Sequence, residues 1–253
     1  MALIHERSCP CSKSELDLFT APYTQIAVES GSWIVYHPIS SLTDQSPIEF
    51  FISGSGEDYL DLANTLLYRK VRVLKGNGDN TDAAEDIVAP VNLFGQALIS
   101  QMDVFLNEVL ISSANNTYPY RAYLETLLTP SQEKIASQYG AAIWKKDTAG
   151  EFDNMSAEGR DGRRNTGFSM RYRRIQRSRP VELTCRLHSD IFSQHRYMLN
   201  NVDVRLKLSR TKDTFSLMAD AADGTYKVNI MPASLWVRKV KLAPSILMAH
   251  EKR

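Results

Sequence analysis

Two segments late in the chain constrain its fold more than any others. In VELTCRLH (181–188), Val181, Leu183, Cys185 and Leu187 alternate with Glu182, Thr184, Arg186 and His188. In VDVRLKLS (202–209), Val202, Val204, Leu206 and Leu208 alternate with Asp203, Arg205 and Lys207. A period of two belongs to a β-strand with one face on a core and the other in water, because successive side chains leave opposite faces of the pleat. A helix has no face that could collect either set. Each strand therefore needs a second apolar layer to cover it, and Leu183, Cys185, Leu187, Val202, Val204, Leu206 and Leu208 are expected inside.

Other segments share this character. QIAVES (25–30) and SWIVYHPIS (32–40) suggest strands around a turn at Gly31, and PIEFFIS (47–53) alternates Ile48, Phe50 and Ile52 with Glu49 and Phe51. LLYRKVRVLKGNG (66–78) is β-rich and stops at a Gly-Asn-Gly turn, followed by a Gly/Asn/Asp-rich loop over 76–88. QMDVFLNEVLIS (101–112) has the form of a hairpin with an Asn-Glu turn, and TYKVNIM (225–231) and SLWVRKVKL (234–242) complete about eight strands. No strand–helix–strand rhythm and no internal repeat is evident. These features predict an antiparallel β-sandwich, which at 253 residues is commonly a single domain.

One stretch breaks the pattern. In NTYPYRAYLETLL (116–128), Tyr120, Leu124, Leu127 and Leu128 follow a helical period, and Arg121 and Glu125 stand one turn apart as an ion pair. Pro119 suits a first turn, with Thr117 as a cap. Thr129-Pro130 ends the helix, and SQEKIASQY (131–139) starts another. The expectation is an insertion helix capping one end of the sandwich.

Candidate chemistry is sparse. His5, Cys9 and Cys11 lie close together, but Cys-x-Cys is not the knuckle spacing of a structural zinc, and Cys185 could join only from the core. LHSD (187–190) holds His188, Ser189 and Asp190 in succession, where a strand sends neighbours to opposite faces and forbids a triad. SGSGEDYLDL (53–62) has a Gly-x-Gly but neither the lysine nor the βαβ setting of a phosphate loop; it is expected to be a turn flanked by Asp58 and Asp61. No catalytic constellation, cofactor or metal site emerges, and the expectation is a protein that is not an enzyme. The N-terminus lacks an apolar signal-peptide core, three cysteines are too few for a disulfide scaffold, and no apolar run reaches the roughly 18 residues of a membrane span, so a reduced intracellular product is expected.

The strongest anomaly is RDGRRNTGFSMRYRRIQRSRP (160–180), with eight arginines and one aspartate in a chain whose net charge is +1. Arg171, Arg173, Arg174, Arg177 and Arg179, interleaved with Phe168 and Tyr172, are candidates to grip phosphates and stack on bases of single-stranded nucleic acid. The alternative is a solvated loop whose arginines meet acidic surfaces of neighbouring subunits or of the chain itself.

Several blocks together resemble one family. CPCSKSELDLFTAPYTQIAVESGSW, PIEFFISGSGEDYLDLANTLL, PVNLFGQALISQMDVFLNEVLISSANNTYPYRAYLETLL, LHSDIFSQHRYMLNNVDVRLKLSR and WVRKVKLAPSILMAH are similar to double jelly-roll major capsid (hexon-like) proteins of Polinton/Maverick and adintovirus-type elements. The resemblance implies an antiparallel jelly-roll sandwich with a minor helical part. Its copies would form homotrimeric capsomers that tile a shell with other capsid proteins. The implied location is the virion, and the host cell interior before assembly. The expected layout is an N-terminal arm over 1–23, a jelly-roll domain over 24–242 and, over 243–253, the start of a link to a second jelly roll. Two departures stand out: the family continues into that second barrel beyond KLAPSILMAH, and residues 160–179 are richer in arginine than the family pattern. The first is expected of a truncated product, a fragment or a degraded integrated copy. Rival readings are a single-stranded nucleic-acid binder and a carbohydrate-binding or hydrolytic jelly roll, the latter lacking the paired carboxylates it needs. The last strand places Trp236, Val240 and Leu242 on one face and Leu235 and Val237 on the other. A strand apolar on both faces is expected where neither meets water, so an exposed apolar patch beyond a few hundred Å² is also expected.

Overall fold

A computed structural model describes residues 24–42, 46–83, 85–112, 115–128, 139–157, 162–219 and 225–251. The expected N-terminal arm, with His5, Cys9 and Cys11, lies outside these residues, as does 131–138 of the second expected helix.

Eight strands build two four-stranded antiparallel sheets. The first has the order β1 (Val28–Tyr36), β10 (Tyr226–Leu242), β3 (Tyr59–Lys75), β7 (Val181–Arg186). The second has the order β2 (Ile48–Ile52), β8 (Val204–Arg210), β5 (Ile99–Leu106), β6 (Val109–Ser112). A short ribbon of β4 (Val88–Pro90) and β9 (Leu217–Ala219) stands apart from both. The pairing is nested. The first long strand pairs with the last (β1 with β10), the second with the next to last (β2 with β8), the third with β7, and β5 with β6. One long hairpin rolled so that alternate rungs fall into opposite sheets gives this order, and that is a jelly roll.

The period-two pattern decides what fills it. Ile48, Phe50 and Ile52 of β2, Met102 and Val104 of β5, and Val204, Leu206 and Leu208 of β8 meet Leu67, Val71, Leu183, Val228, Ile230, Leu235 and Val237 of the facing sheet in one core. Phe50, Leu206 and Val104 are directly paired neighbours across three strands, and each is fully buried. Of the residues expected inside, only Val202, which precedes β8, is half-buried. The Asn-Glu hairpin is present: Asn107 and Glu108 both adopt positive φ, the conformation a two-residue turn demands. At Gly54 a Cβ would fall 2.4 Å from the Val202 backbone, so only glycine lets these connections cross.

Three strand expectations are corrected. Gly31 makes no turn; β1 runs through it, paired to Val240, and the missing side chain leaves room for the Arg238 guanidinium 3.3 Å from where a Cβ would be. The segments 225–231 and 234–242 form the single strand β10, in which a register shift between Ile230 and Ala233 accommodates exposed Pro232, which has no N–H to give a ladder. β3 begins at Tyr59 rather than Leu66, so Asp61 sits in a strand and accepts from Arg238 Nη1 at 3.2 Å.

Most helices lie in the connections. α1 (Phe94–Ala97) is fully buried, α2 (Tyr118–Leu128) and α3 (Thr166–Ile175) belong to the long crossover from β6 to β7, and single turns occupy α4 (Asp190–Ser193) and α5 (Asp213–Ser216). The last, α6 (Pro244–Glu251), occupies the segment expected to begin a link; its Ile246 and Leu247 pack on Tyr59, Val240 and Leu242, and Tyr59 Oη lies 2.9 Å from His250 Nδ1.

Candidate interaction surfaces

α2 forms where the sequence predicts it, with Arg121 Nε donating to Glu125 Oε1 at 2.7 Å, but it turns the opposite face inward. Tyr120, Leu124, Leu127 and Leu128 are exposed, while Tyr118, Ala122 and Thr126 are buried. The reason is fit. Ala122 is small enough to bring the helix against Leu93, Ala142 and Cys185, and Thr126 satisfies its hydroxyl by donating to the Ala122 carbonyl at 2.7 Å.

A polar clasp fixes this seat. Tyr118 Oη donates to Gln96 Oε1 at 2.7 Å and accepts from the His188 backbone N–H at 3.3 Å; Gln96 Nε2 donates to the Arg186 carbonyl at 2.6 Å. His188 Nδ1 lies 2.7 Å from Glu125 Oε2, and Arg121 Nη2 reaches Asp190 Oδ1 at 2.5 Å. Burial pushes the His188 pKa below its ordinary value against the opposing pull of Glu125. Burial alone would raise the Glu125 carboxyl, yet hydrogen bonds from His188 and Arg121 hold it lower. The neutral imidazole thus donates through Nδ1, while its buried Nε2 has no partner among the described residues. His188, Ser189 and Asp190 form no triad, though not by alternation: β7 ends at Arg186, short of the strand expected to run to His188, and the chain turns into α4.

Above the clasp, the exposed side of α2 walls an apolar groove of about 530 Å³ with Leu93, Ala97 and Phe215, and the Tyr120 and Phe215 rings meet edge-on 5.8 Å apart. Val109, Leu110 and Ile111 of edge strand β6 are exposed in succession. On β10, Leu235 and Val237 enter the core, α6 covers Val240 and Leu242, and Trp236 is 41% exposed.

The arginine-dense segment is not a loop. Asn165 caps α3 by accepting from the Phe168 N–H at 3.2 Å, and Phe168, Tyr172 and Ile175 form its buried side. The two aromatics are therefore core residues and offer no face for stacking on a base. Arg171 is fully buried and splayed across three partners: Nε to the Pro90 carbonyl (2.8 Å), Nη1 to the Lys145 carbonyl (2.9 Å) and Nη2 to Asp147 Oδ1 (2.9 Å). Its role is to tie the crossover to β4. Gly167 permits the approach, since a Cβ there would lie 2.6 Å from the Lys146 carbonyl. Arg173, Arg174, Arg177 and Arg179 are exposed. Lys145, twenty-six residues before Arg171, sits beside Arg173 and Arg174, a placement that no local pattern announces.

Among the described residues no group of three or more His, Cys, Asp or Glu side chains could hold a metal, and no helix is long and apolar enough to cross a membrane. Cys185 is buried, with Arg69 Nη2 3.5 Å from its sulfur.

No protein-family model matches the chain, and no curated protein matches it. Among solved structures it is similar to the Faustovirus major capsid protein, at 9% identity and a TM-score of 0.53 over 93% of this chain and 58% of that one. It is similar to the Sputnik virophage structure at 10% identity and a TM-score of 0.52, over 94% of this chain and 53% of that one. A third likeness is to the PBCV-1 virus capsid, at 11% identity and a TM-score of 0.52 over 90% and 46%. The chain thus spans about half the length of the structures it matches. At such identities the likeness is one of fold, and that fold is the jelly roll of viral capsid structures.

Proposed function

We propose that this chain is a structural subunit of a viral capsid shell, of the major capsid protein type, and that it acts by burying surface between copies of itself in trimeric capsomers. The observation that carries the reading is the nested strand order of this chain, in a fold that matches three viral capsid structures over 90% or more of its length. The exposed apolar residues of α2 and β6 support it, because a monomer seldom leaves so many together in water. We place the chain with the hexon-like proteins of Polinton/Maverick and adintovirus-type elements on the sequence blocks quoted above. In this reading residues 243–253 lead towards a second jelly roll, other capsid proteins are its further partners, and its site of action is the virion. No catalytic step is part of it. Negative-stain electron microscopy of the purified protein tests the proposal: particles with threefold symmetry, or closed shells, are expected. A field of single 28.6 kDa monomers at every concentration would overturn it.

A further inference from the structure

We propose that the end of α3 and the turn after it form a cationic pad that binds the phosphate backbone of nucleic acid without reading its sequence. Arg173 and Arg174 lie on the last turn of the helix, and Arg177 and Arg179 follow within five residues; all four are exposed and make no ion pair with any described residue. Lys145, Met170, Arg173 and Arg174 ring a shallow recess.

The pad is held rigid from beneath. The Lys145 backbone is gripped on both sides: Asn92 Oδ1 accepts from its N–H at 2.8 Å, and Asn92 Nδ2 and Arg171 Nη1 donate to its carbonyl at 2.8 and 2.9 Å. Arg177 and Ser178 occupy the left-handed region in succession (φ 58° and 52°), a costly arrangement for residues with side chains. It persists because Ser178 and Thr81 exchange hydrogen bonds, Thr81 N–H to Ser178 Oγ at 2.8 Å and Ser178 N–H to Thr81 Oγ1 at 2.9 Å. The effect is to present Arg177 and Arg179 on a fixed turn.

The chemistry selects the partner. Guanidinium groups match phosphate oxygens through paired N–H donors, which a lysine-rich patch does not do. Phe168 and Tyr172 are buried, so base stacking is excluded and contact is confined to the backbone. A membrane surface fits less well, since Met170 is the only apolar residue at the recess and nothing there could insert among acyl chains. Of the acids a second copy could offer, Asp61, Asp86, Glu108, Asp147, Glu151 and Glu182 are already paired to a cation of their own, whereas a nucleic-acid strand supplies an unbroken row of phosphates. The inference concerns the isolated subunit and holds whether or not trimers form; if the shell reading also holds, this face looks inward.

The test is fluorescence anisotropy with a labelled 20-nucleotide oligo(dT) at 50, 100 and 200 mM NaCl. With four or five phosphates neutralised, the log–log salt slope should be about −3 for a single strand, so affinity falls roughly a hundredfold over that range. A mixed-sequence strand should bind equally well. R173E/R174E should weaken binding at least tenfold and reduce the slope by about 1.4, and R177E/R179E should do the same. K70E/K241E, the same charge change on the first sheet, should stay within twofold. All four arginines are exposed, and circular dichroism of each variant checks that the fold is kept. No binding at 50 mM salt would overturn the proposal. So would binding unchanged by both arginine pairs, or a preference for vesicles containing a fifth anionic phospholipid over the oligonucleotide.

Discussion

β8 with its approach, and α2, each carry four conspicuous apolar residues, and only the strand buries them. In β8 and its approach, Val204, Leu206 and Leu208 vanish into the core and Val202 half enters it. In α2, Tyr120, Leu124, Leu127 and Leu128 remain in water, and the helix seats itself through Tyr118, Ala122 and Thr126. A strand between two others has its faces fixed by the ladder, so alternation leaves no choice. A helix in a crossover is free to rotate and settles by fit and hydrogen bonding. Apolar residues left outside by such a helix are available to another molecule.

The contrast sharpens most in substitutions that attack each region at its anchor. Arg171→Ala should be the most damaging change in the crossover, leaving Asp147 without its cation and taking a donor from the Pro90 and Lys145 carbonyls, at a cost of about 3–5 kcal/mol; urea unfolding showing under 1 kcal/mol would remove the anchor from the account. Leu206→Ala should cost about 2–5 kcal/mol in the barrel, and a near-neutral result there would contradict the core itself. Ala122→Leu, close to neutral in helix propensity, should cost about 1–3 kcal/mol by overpacking against Leu93 and Ala142. A stabilised variant would mean α2 is seated otherwise.

The clasp gives a smaller, pH-dependent effect. His188 is held neutral below its ordinary pKa of 6.5, so on acidification the unfolded chain takes up this proton before the folded one. Its stabilising contribution is complete above about pH 6.5 and declines as pH falls from there toward the depressed value. Glu125 and Asp190, both held low by their partners, add a decline of the same sign in the carboxylate range. Melting temperature should therefore drop between pH 7 and 5, and His188→Gln should flatten that drop; an unflattened curve would assign it elsewhere. Smallest of all, Leu124→Ser with Leu127→Ser should change monomer stability by only about 0.5 kcal/mol, measured below any association threshold.

The same contrast explains how much could be read from the sequence. Strands whose core residues recur strictly at every second position, such as β2 and β8, were legible residue by residue, and so was the Asn107-Glu108 turn. β4 and β9 were not, since three residues carry no period. α3 was masked by its charge, although the Asn165 cap and the Phe168–Tyr172–Ile175 spacing are an ordinary helix signature. Of the five candidate arginines, sequence could not separate buried Arg171 from its exposed neighbours, because that depends on Asp147, Lys145 and Pro90 meeting it from other elements.

The central claim is that this jelly roll is built to associate with copies of itself. Size-exclusion chromatography with light scattering, across a dilution series of the purified chain, measures that directly. The account predicts a species of three times 28.6 kDa that recedes toward monomer in the Leu124→Ser, Leu127→Ser variant. A mass of 28.6 kDa at every concentration, with no binding of an apolar-surface dye, would contradict it.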